Sequence, residues 1–202
     1  MLDRLLPGLD RSLALKLVAF HTFIIALSNW LVTIKFDFMG HPLTYAAFTY
    51  PLVVVATDLT VRLIGKEMGR AVVAASFIPA IVVSILVVMA GGAPQSIAFR
   101  IGLGSGLAYF VSCMLDVYVF QYIREKYAAW WIAPTLSSVA SNIIDTYTFF
   151  GVAFANGADE FMAANWTSVA TNQLLTKMVI SLLVILPMYG VLLNYIQKRF
   201  FK

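Results

Sequence analysis

The chain has 202 residues, of which 61% are hydrophobic and 12% are Asp, Glu, Lys or Arg, and its mean hydropathy is +0.86. Soluble domains are about 45–50% apolar and about 25% charged, so this composition excludes a soluble enzyme, a disordered chain and an anchor that carries a separate catalytic domain. The net charge of +4 does not indicate nucleic-acid binding, because the basic residues flank apolar segments instead of forming one stripe. The single cysteine, Cys113, excludes an internal disulfide framework.

Apolar runs bounded by charged residues, glycine and proline predict six transmembrane helices, since one span needs about 20 apolar residues. In chain order, the predicted spans are about 13–34, 43–64, 71–90, 96–123, 131–155 and 169–196. No small-residue cleavage site follows the first span, so we expect this span to be retained. The sequence therefore predicts an all-α membrane protein in which residues 1–202 form a single domain.

The distribution of Lys and Arg between the loops predicts the orientation in the membrane. Eleven of the 14 basic residues fall at the two ends of the chain and in the loops after the second and fourth spans. Lys35 and Arg100 lie on the opposite side, and Lys177 falls inside the last span. Because basic loops remain in the cytoplasm, we expect both termini there.

Small residues and prolines within the spans predict how the helices pack. Gly102, Gly104 and Gly106 are spaced to bring the fourth helix close to its neighbours, and no Gly-Lys-Ser/Thr follows them to make a phosphate loop. Pro79 and Pro187 lie inside the third and sixth spans, where we expect each to kink or break its helix.

Charged residues in the cytoplasmic half of the spans form one candidate network. Asp58 and Arg62 are four residues apart, so they share a helix face and are able to pair. Asp116 in the fourth span lies at a similar depth, from which it is able to share Arg62. Two interpretations remain open, namely an ion network that locks the helices together and a role in gating or ion coupling.

Polar residues in the outer half form a second candidate set. The fifth span runs outward and the sixth runs inward, so we expect Asp145 and Lys177 to meet. The residues expected at this depth are Asn29, Tyr45, Asn142, Asp145, Gln173 and Lys177. A lone Asn142 is typical of helix cohesion. A carboxylate, an ammonium group and three amides together favour a small, flat ligand that is rich in donors and acceptors.

Several short segments, taken together in their order along the chain, resemble the queuosine precursor transporter family. The resemblance rests on Ser28-Asn29, Ala56-Thr57-Asp58-Leu59-Thr60-Val61-Arg62, Leu115-Asp116-Val117, Trp130-Trp131 ahead of Ala133-Pro134-Thr135, Asn142 with Asp145, Lys177, and Leu186-Pro187-Met188-Tyr189-Gly190. The match runs from the first predicted helix to the last.

The resemblance implies a bacterial inner-membrane importer of 7-cyano-7-deazaguanine and 7-aminomethyl-7-deazaguanine. It also implies six helices in a fold similar to the substrate-binding component of energy-coupling-factor transporters, with no ATPase in the chain and no cofactor. The family-matching positions are Asn29, Asp58, Arg62, Arg100, Asp116, Asn142, Asp145 and Lys177. Asp58, Arg62, Arg100 and Asp116 would then serve gating or coupling.

Three functions compete at this point. The first is a carrier that moves a deazaguanine base inward through the lipid bilayer. The second is a capture subunit for a purine-like or vitamin-like ligand that depends on a separate ATP-driven module. The third is an intramembrane enzyme, which is disfavoured because no nucleophile or metal-ligand motif accompanies Asp145 and Lys177. The sequence leaves open whether the protein is a monomer or a homodimer.

Overall fold

The computed structural model describes residues 10–31, 34–38 and 41–200. Within these residues the chain folds into six helical rods, as the hydropathy pattern predicts. The first five are α1 Arg11–Leu31, α2 Ala46–Leu63, α3 Lys66–Ala90, α4 Gln95–Lys126 and α5 Ile132–Phe154. The last rod consists of α6 Glu160–Ile180, a π-helical segment Ser181–Ile185 and α7 Leu186–Phe200.

A short β-hairpin connects α1 to α2, which the sequence analysis does not predict. Strand β1 (Lys35–Phe38) pairs antiparallel with β2 (His41–Thr44), and Lys35 lies opposite Thr44. The predicted second span therefore begins too early, because residues 43 and 44 belong to β2 and α2 starts at Ala46. A short apolar run is compatible with either a strand or a helix, so hydropathy alone does not show where the strand ends and the helix begins.

The helix ends follow from local sequence. The carboxylate of Asp10 accepts a hydrogen bond from the backbone N–H of Leu13 at 3.1 Å, and that of Asp159 accepts one from Met162 at 3.0 Å, so each caps the start of its helix. Between α2 and α3, Gly65 has a φ of +123°, a conformation that favours glycine and permits the sharp turn between the two rods.

Four of the helices are long and apolar enough to cross a membrane within the described part of the chain. They are Arg11–Leu31, Lys66–Ala90, Gln95–Lys126 and the last rod, Glu160–Arg199. Membrane crossing by α2 and α5, which carry the buried aspartates 58 and 145 and several hydroxyl groups, stays a prediction.

The surface of the bundle is apolar, and its interior contains many polar side chains among the hydrophobic clusters. Large hydrophobic side chains point outward, among them Leu183 and Val191, which are both 72% exposed. The buried residues include Thr57, Ser112 and Ser137. This distribution is the reverse of a soluble fold and suits a hydrocarbon solvent, so the protein is a multi-pass membrane protein.

Helix α4 packs extensively against both α3 and α5. A Cβ atom added to Gly102 would lie 2.3 Å from Ile85 Cγ1 and 2.9 Å from the Ile85 backbone nitrogen, and one added to Gly106 would lie 2.1 Å from Ile81 Cγ1. Gly104 faces α5, where an added Cβ would lie 3.2 Å from a backbone oxygen. The predicted packing role of the three glycines is therefore confirmed.

The two prolines singled out in the sequence have different effects. Helix α3 runs unbroken through Pro79, so the predicted alternative of a break is wrong there. Pro187 lies two residues after the end of the π-helical segment 181–185. Proline has no N–H, and its ring clashes with the carbonyl four residues earlier, here that of Leu183. The wider π turn is the local response to this clash.

Candidate substrate and coupling sites

Asp145 and Lys177 form a buried ion pair between α5 and α6. Lys177 Nζ lies 2.9 Å from Asp145 Oδ2 and 3.4 Å from Thr146 Oγ1, and the side chains of Lys177 and Asp145 are only 13% and 3% exposed. This juxtaposition confirms the expectation drawn from the opposite directions of the two helices. Each group neutralises a charge that would otherwise be costly to bury.

Asn142 lies three residues before Asp145 in α5 and therefore near the same helix face. Its Nδ2 donates to Ser181 Oγ at 3.3 Å, while its Oδ1 is buried with no hydrogen-bond partner among the described residues. Ser181, the first residue of the π-helical segment, is not among the residues predicted from the sequence. Pro187 was the available signal, because it predicts a disturbed backbone in the preceding turn.

Two further predicted ligand residues lie on the elements around this pair. Gln173 is half-buried in α6, four residues before Lys177. Tyr45 immediately precedes α2 and is 45% exposed, and its backbone N–H donates to the Ile34 carbonyl at 3.3 Å. Their contact with a ligand stays a prediction.

Asn29 belongs to a different cluster of hydrogen bonds. Its Nδ2 lies 2.7 Å from Ser84 Oγ on α3, 3.3 Å from Ser105 Oγ on α4 and 3.0 Å from the Ile25 carbonyl. No hydrogen bond joins Asn29 to Asp145 or Lys177 in the described structure. Because α1 packs mainly against α2 and α3, and α5 against α4 and α6, Asn29 does not reach the ion pair directly.

Asp58 and Asp116 form a second buried group between α2 and α4. Their exposed fractions are 1% and 0%, and each lies within electrostatic reach of the other. Ser137 Oγ on α5 donates to Asp58 Oδ1 at 3.4 Å. Asp58 Oδ2 and both oxygens of Asp116 have no hydrogen-bond partner in the described part of the chain.

The predicted direct pairing of Arg62 with Asp58 or Asp116 is wrong, since no ion pair joins them among the described residues. Arg62 Nη1 instead donates to the Trp130 carbonyl and to the Tyr189 hydroxyl, both at 3.1 Å. Its guanidinium carbon also lies 5.9 Å from the centre of the Tyr189 ring. The Trp130 carbonyl, the Tyr189 hydroxyl and the Tyr189 ring provide the contacts of the guanidinium, so it forms no ion pair with Asp58 or Asp116 in the described structure.

A small cavity lies next to Asp58 and Ser181. Its lining includes Asp58, Ser138, Ser181 and Tyr189. The volume open to the centre of a water molecule is about 10 Å³, which is room for about one water. Asp58 and the hydroxyl that binds Asn142 therefore face the same space.

Arg100 closes the C-terminal end of α5. Its guanidinium donates to four backbone carbonyls, those of Val152, Ala153, Ala155 and Asn156, at distances between 2.6 and 3.3 Å. These carbonyls are the acceptors that a helix end leaves without intrahelical partners. The direct contacts of Arg100 are thus those of a helix cap, and its predicted part in gating stays a prediction.

The chemistry available in this interior is recognition and charge movement. Within the described residues, no group of three or more His, Cys, Asp or Glu side chains is placed to hold a metal ion. Cys113 is fully buried in an apolar cluster with Ile24, Val53 and Tyr109. The ion pair and the Asn142 amide supply both donors and acceptors to a polar ligand.

Comparison with known proteins agrees with these observations. A family model described as "Putative vitamin uptake transporter" matches residues 44–192. The queuosine precursor transporter of Escherichia coli is 38% identical over 191 residues, covering 89% of this chain and 86% of the relative. The probable queuosine precursor transporter of Haemophilus influenzae is 37% identical over 204 residues with the same coverage. No solved structure matches the chain.

The relatives named above are transporters and not enzymes, and their similarity extends over nearly all of this chain. The residues that carry the resemblance in the sequence fall on five of the six rods described here, from Asn29 in α1 to Tyr189 in α7. The chain belongs to the queuosine precursor transporter family.

Proposed function

We propose that the protein is a carrier that imports 7-cyano-7-deazaguanine, 7-aminomethyl-7-deazaguanine or both across the bacterial inner membrane, with both termini in the cytoplasm. The names of the two long relatives support the substrate class. The observation that carries the proposal is the buried Asp145–Lys177 ion pair, which lies one helical turn from the unpaired Asn142 Oδ1.

The hydrogen-bonding edge of a deazaguanine fits these groups. A guanine-like ring presents a ring N–H and an amino group side by side, and the carboxylate of Asp145 accepts from both. Lys177 donates to the neighbouring carbonyl of the base, and Asn142 Oδ1 accepts a further N–H. Tyr45 and Gln173 complete the proposed contacts beside the ion pair. Asn29, which bonds to Ser84 and Ser105 instead of to this pair, is proposed to contact the base on the side away from it.

Four charged residues outside this site have a proposed role in gating or coupling. Asp58, Arg62, Arg100 and Asp116 control opening toward the cytoplasm or couple it to an ion. The rods adopt a fold like the substrate-binding components of energy-coupling-factor transporters, and the agreement in helix number supports this. Transport proceeds in a monomer or in a homodimer.

Thermal unfolding of the purified protein in detergent tests the substrate class. A ligand at a hundred times its dissociation constant stabilises a protein by about 2.7 kcal/mol. We expect the melting temperature to rise with 7-cyano-7-deazaguanine or 7-aminomethyl-7-deazaguanine and to remain unchanged with adenine. A protein that melts at the same temperature with both deazaguanines would contradict the proposal.

Uptake of labelled base into proteoliposomes tests the site and the mode of action. We expect uptake by the purified chain alone, and its loss in Asp145→Asn and Lys177→Met. Asp159→Asn and Lys198→Met, which alter exposed residues of the same two types, should transport normally. Binding without uptake by the wild type would favour the capture subunit that depends on an ATP-driven module.

A further inference from the structure

The carboxylates of Asp58 and Asp116 are too deeply buried and too poorly paired to be explained by helix cohesion. They come from two different rods and approach complete burial. Three of their four oxygens have no hydrogen-bond partner in the described structure, and the fourth accepts a long bond of 3.4 Å from Ser137. Interhelical polar contacts that stabilise a bundle are hydrogen-bonded, because an unpaired polar group in hydrocarbon is costly.

The nearest positive charges form their hydrogen bonds with other partners, and Arg62 acts on Asp58 through its charge alone. On α2, Arg62 binds the Trp130 carbonyl and the Tyr189 hydroxyl. On α6, Lys177 binds Asp145.

Arg124 on α4 donates to the Val61 carbonyl at 3.4 Å, so this cation is also bound to another group. Other ionisable groups near the pair or on the rods around it include Cys113 on α4, Asp145 on α5 and Tyr189 on α7, none of which is a cation. They also include His21 on α1, which is bonded to Tyr109, and Glu67 on α3, which is bonded to Arg70 at the surface. Apart from Ser137, the α5 group that reaches Asp116 is the neutral hydroxyl of Ser141.

Two adjacent buried carboxylates that no cation contacts directly cannot both remain charged at an acceptable cost. Each uncompensated ion costs several kcal/mol, and their mutual repulsion adds to this. One bound proton converts the pair into a carboxyl group that donates to a carboxylate, which satisfies oxygens that are otherwise unpaired. The pair is therefore built to take up and release a proton.

The small cavity adjoins one carboxylate of this pair and the hydrogen-bond partner of a proposed ligand residue. Asp58 lines it together with Ser181, whose hydroxyl accepts from Asn142. Its volume of about 10 Å³ admits about one water, which is enough to pass a proton to Asp58. Protonation of Asp58 is therefore able to influence Asn142 through the cavity and Ser181.

We propose that the buried Asp58–Asp116 pair is the binding site of a co-transported proton, so that import of the base is coupled to the proton gradient. The inference rests on the proposed function and names its driving ion. The step is a reversible addition of one proton to one carboxylate, with no other bond formed or broken. A sodium ion is the competing occupant, and the experiment below separates the two.

Proteoliposomes that contain the purified full-length protein test this site. A pH gradient, alkaline inside, is imposed while valinomycin and equal potassium hold the membrane potential at zero. With one proton per base, a gradient of one pH unit drives about tenfold accumulation of labelled 7-cyano-7-deazaguanine. We expect this accumulation in the wild type and in the surface control Glu67→Gln, together with uptake of protons when the base is added.

Asp58→Asn and Asp116→Asn should lose accumulation and proton uptake but retain exchange of labelled for unlabelled base, which needs no gradient. Exchange also shows that each variant is folded. If the Asn variants lose exchange as well, Asp58→Glu and Asp116→Glu decide, because the proposal requires them to keep accumulation driven by the pH gradient.

Other outcomes would overturn the inference. Accumulation driven by a sodium gradient and unaffected by the pH gradient would do so, as would full accumulation in both Asn variants. Wild-type protein that exchanges the base but ignores the pH gradient refutes only the proton site. Wild-type protein that neither binds nor exchanges any deazaguanine refutes the proposed function itself.

Discussion

Arg62 and Tyr189 join α2 to α7 through a 3.1 Å hydrogen bond from the guanidinium to the phenol oxygen. The ring of Trp130 stacks on Tyr189 with their centres 6.4 Å apart. Gly190 allows this approach, because a Cβ there would lie 2.6 Å from the indole. Tyr189 also lines the cavity next to Asp58. With the predicted orientation, we expect the contact to restrict access to this cavity from the cytoplasmic side.

We expect Tyr189→Phe to loosen this closure, since it removes the hydroxyl but keeps the ring. The measurement uses Ser138→Cys, a cavity-lining position, in a Cys113→Ser background. Labelling by a membrane-impermeant maleimide from the cytoplasmic side should become several-fold faster with Tyr189→Phe. Tyr195→Phe, an exposed tyrosine of the same helix, is the matched control and should leave the rate unchanged. Equal rates in all three proteins would show that the contact does not close the cavity.

The ion pair of Asp145 and Lys177 predicts a non-additive effect on stability. Removing one partner leaves the other charge buried, which costs about 3–5 kcal/mol in free energy of unfolding. We expect Asp145→Asn and Lys177→Met each to lose this much, and the double variant to lose less than either. Denaturant unfolding in detergent micelles measures the difference. Additive losses would indicate that the two charges are stabilised independently.

The glycines of α4 predict a graded response to an added methyl group. Gly102→Ala places Cβ against the Ile85 backbone, which a rotamer change cannot relieve, so we expect a loss of about 1–3 kcal/mol. Gly106→Ala meets only the Ile81 side chain and should cost less. Gly151→Ala is the control, because its nearest contact would be an ordinary 3.8 Å from Trp166. Unfolding free energies that follow another order would contradict this packing.

Arg100 offers a test that separates capping from gating. Arg100→Gln retains one amide donor but loses most of the hydrogen bonds to the end of α5, so we expect about 1–3 kcal/mol of destabilisation. If capping is its whole role, the affinity for the base and the transport rate per folded molecule remain at wild-type values. A transport rate that falls while affinity is unchanged would support the gating role implied by the family resemblance.

Much of the architecture could be predicted from the sequence, because a bilayer imposes strong rules on length and polarity. The six rods, the meeting of Asp145 with Lys177 and the close approach at Gly102 all follow from hydropathy, chain direction and residue size. The hairpin formed by 35–38 and 41–44 could not be found this way, since its strands are only four residues long and residues 43 and 44 continue into the apolar run of the next helix.

The hydrogen-bond partners of the buried polar side chains were harder to predict. Arg62 has a carboxylate one turn away, yet it binds Trp130 and Tyr189 from distant parts of the chain. Asn29 is held by Ser84 and Ser105 rather than by the ion pair. Helical spacing identifies which residues share a face of one rod, but the choice between competing partners depends on how the rods are arranged around each other.

The π-helical segment has a consequence for the length of the last rod. Lys177, Ser181, Ile185 and Tyr189 are spaced four apart, and the last three are buried. In a regular α-helix, each step of four overshoots a full turn by about 40°, so three steps would carry Tyr189 about 120° away from the side of Lys177. The wider π turn absorbs part of this drift. Deleting one residue between them would keep nearly every side chain yet rotate one end by about 100°. Between Lys177 and Tyr189, we therefore expect transport to be more sensitive to a change in the number of residues than to most single substitutions.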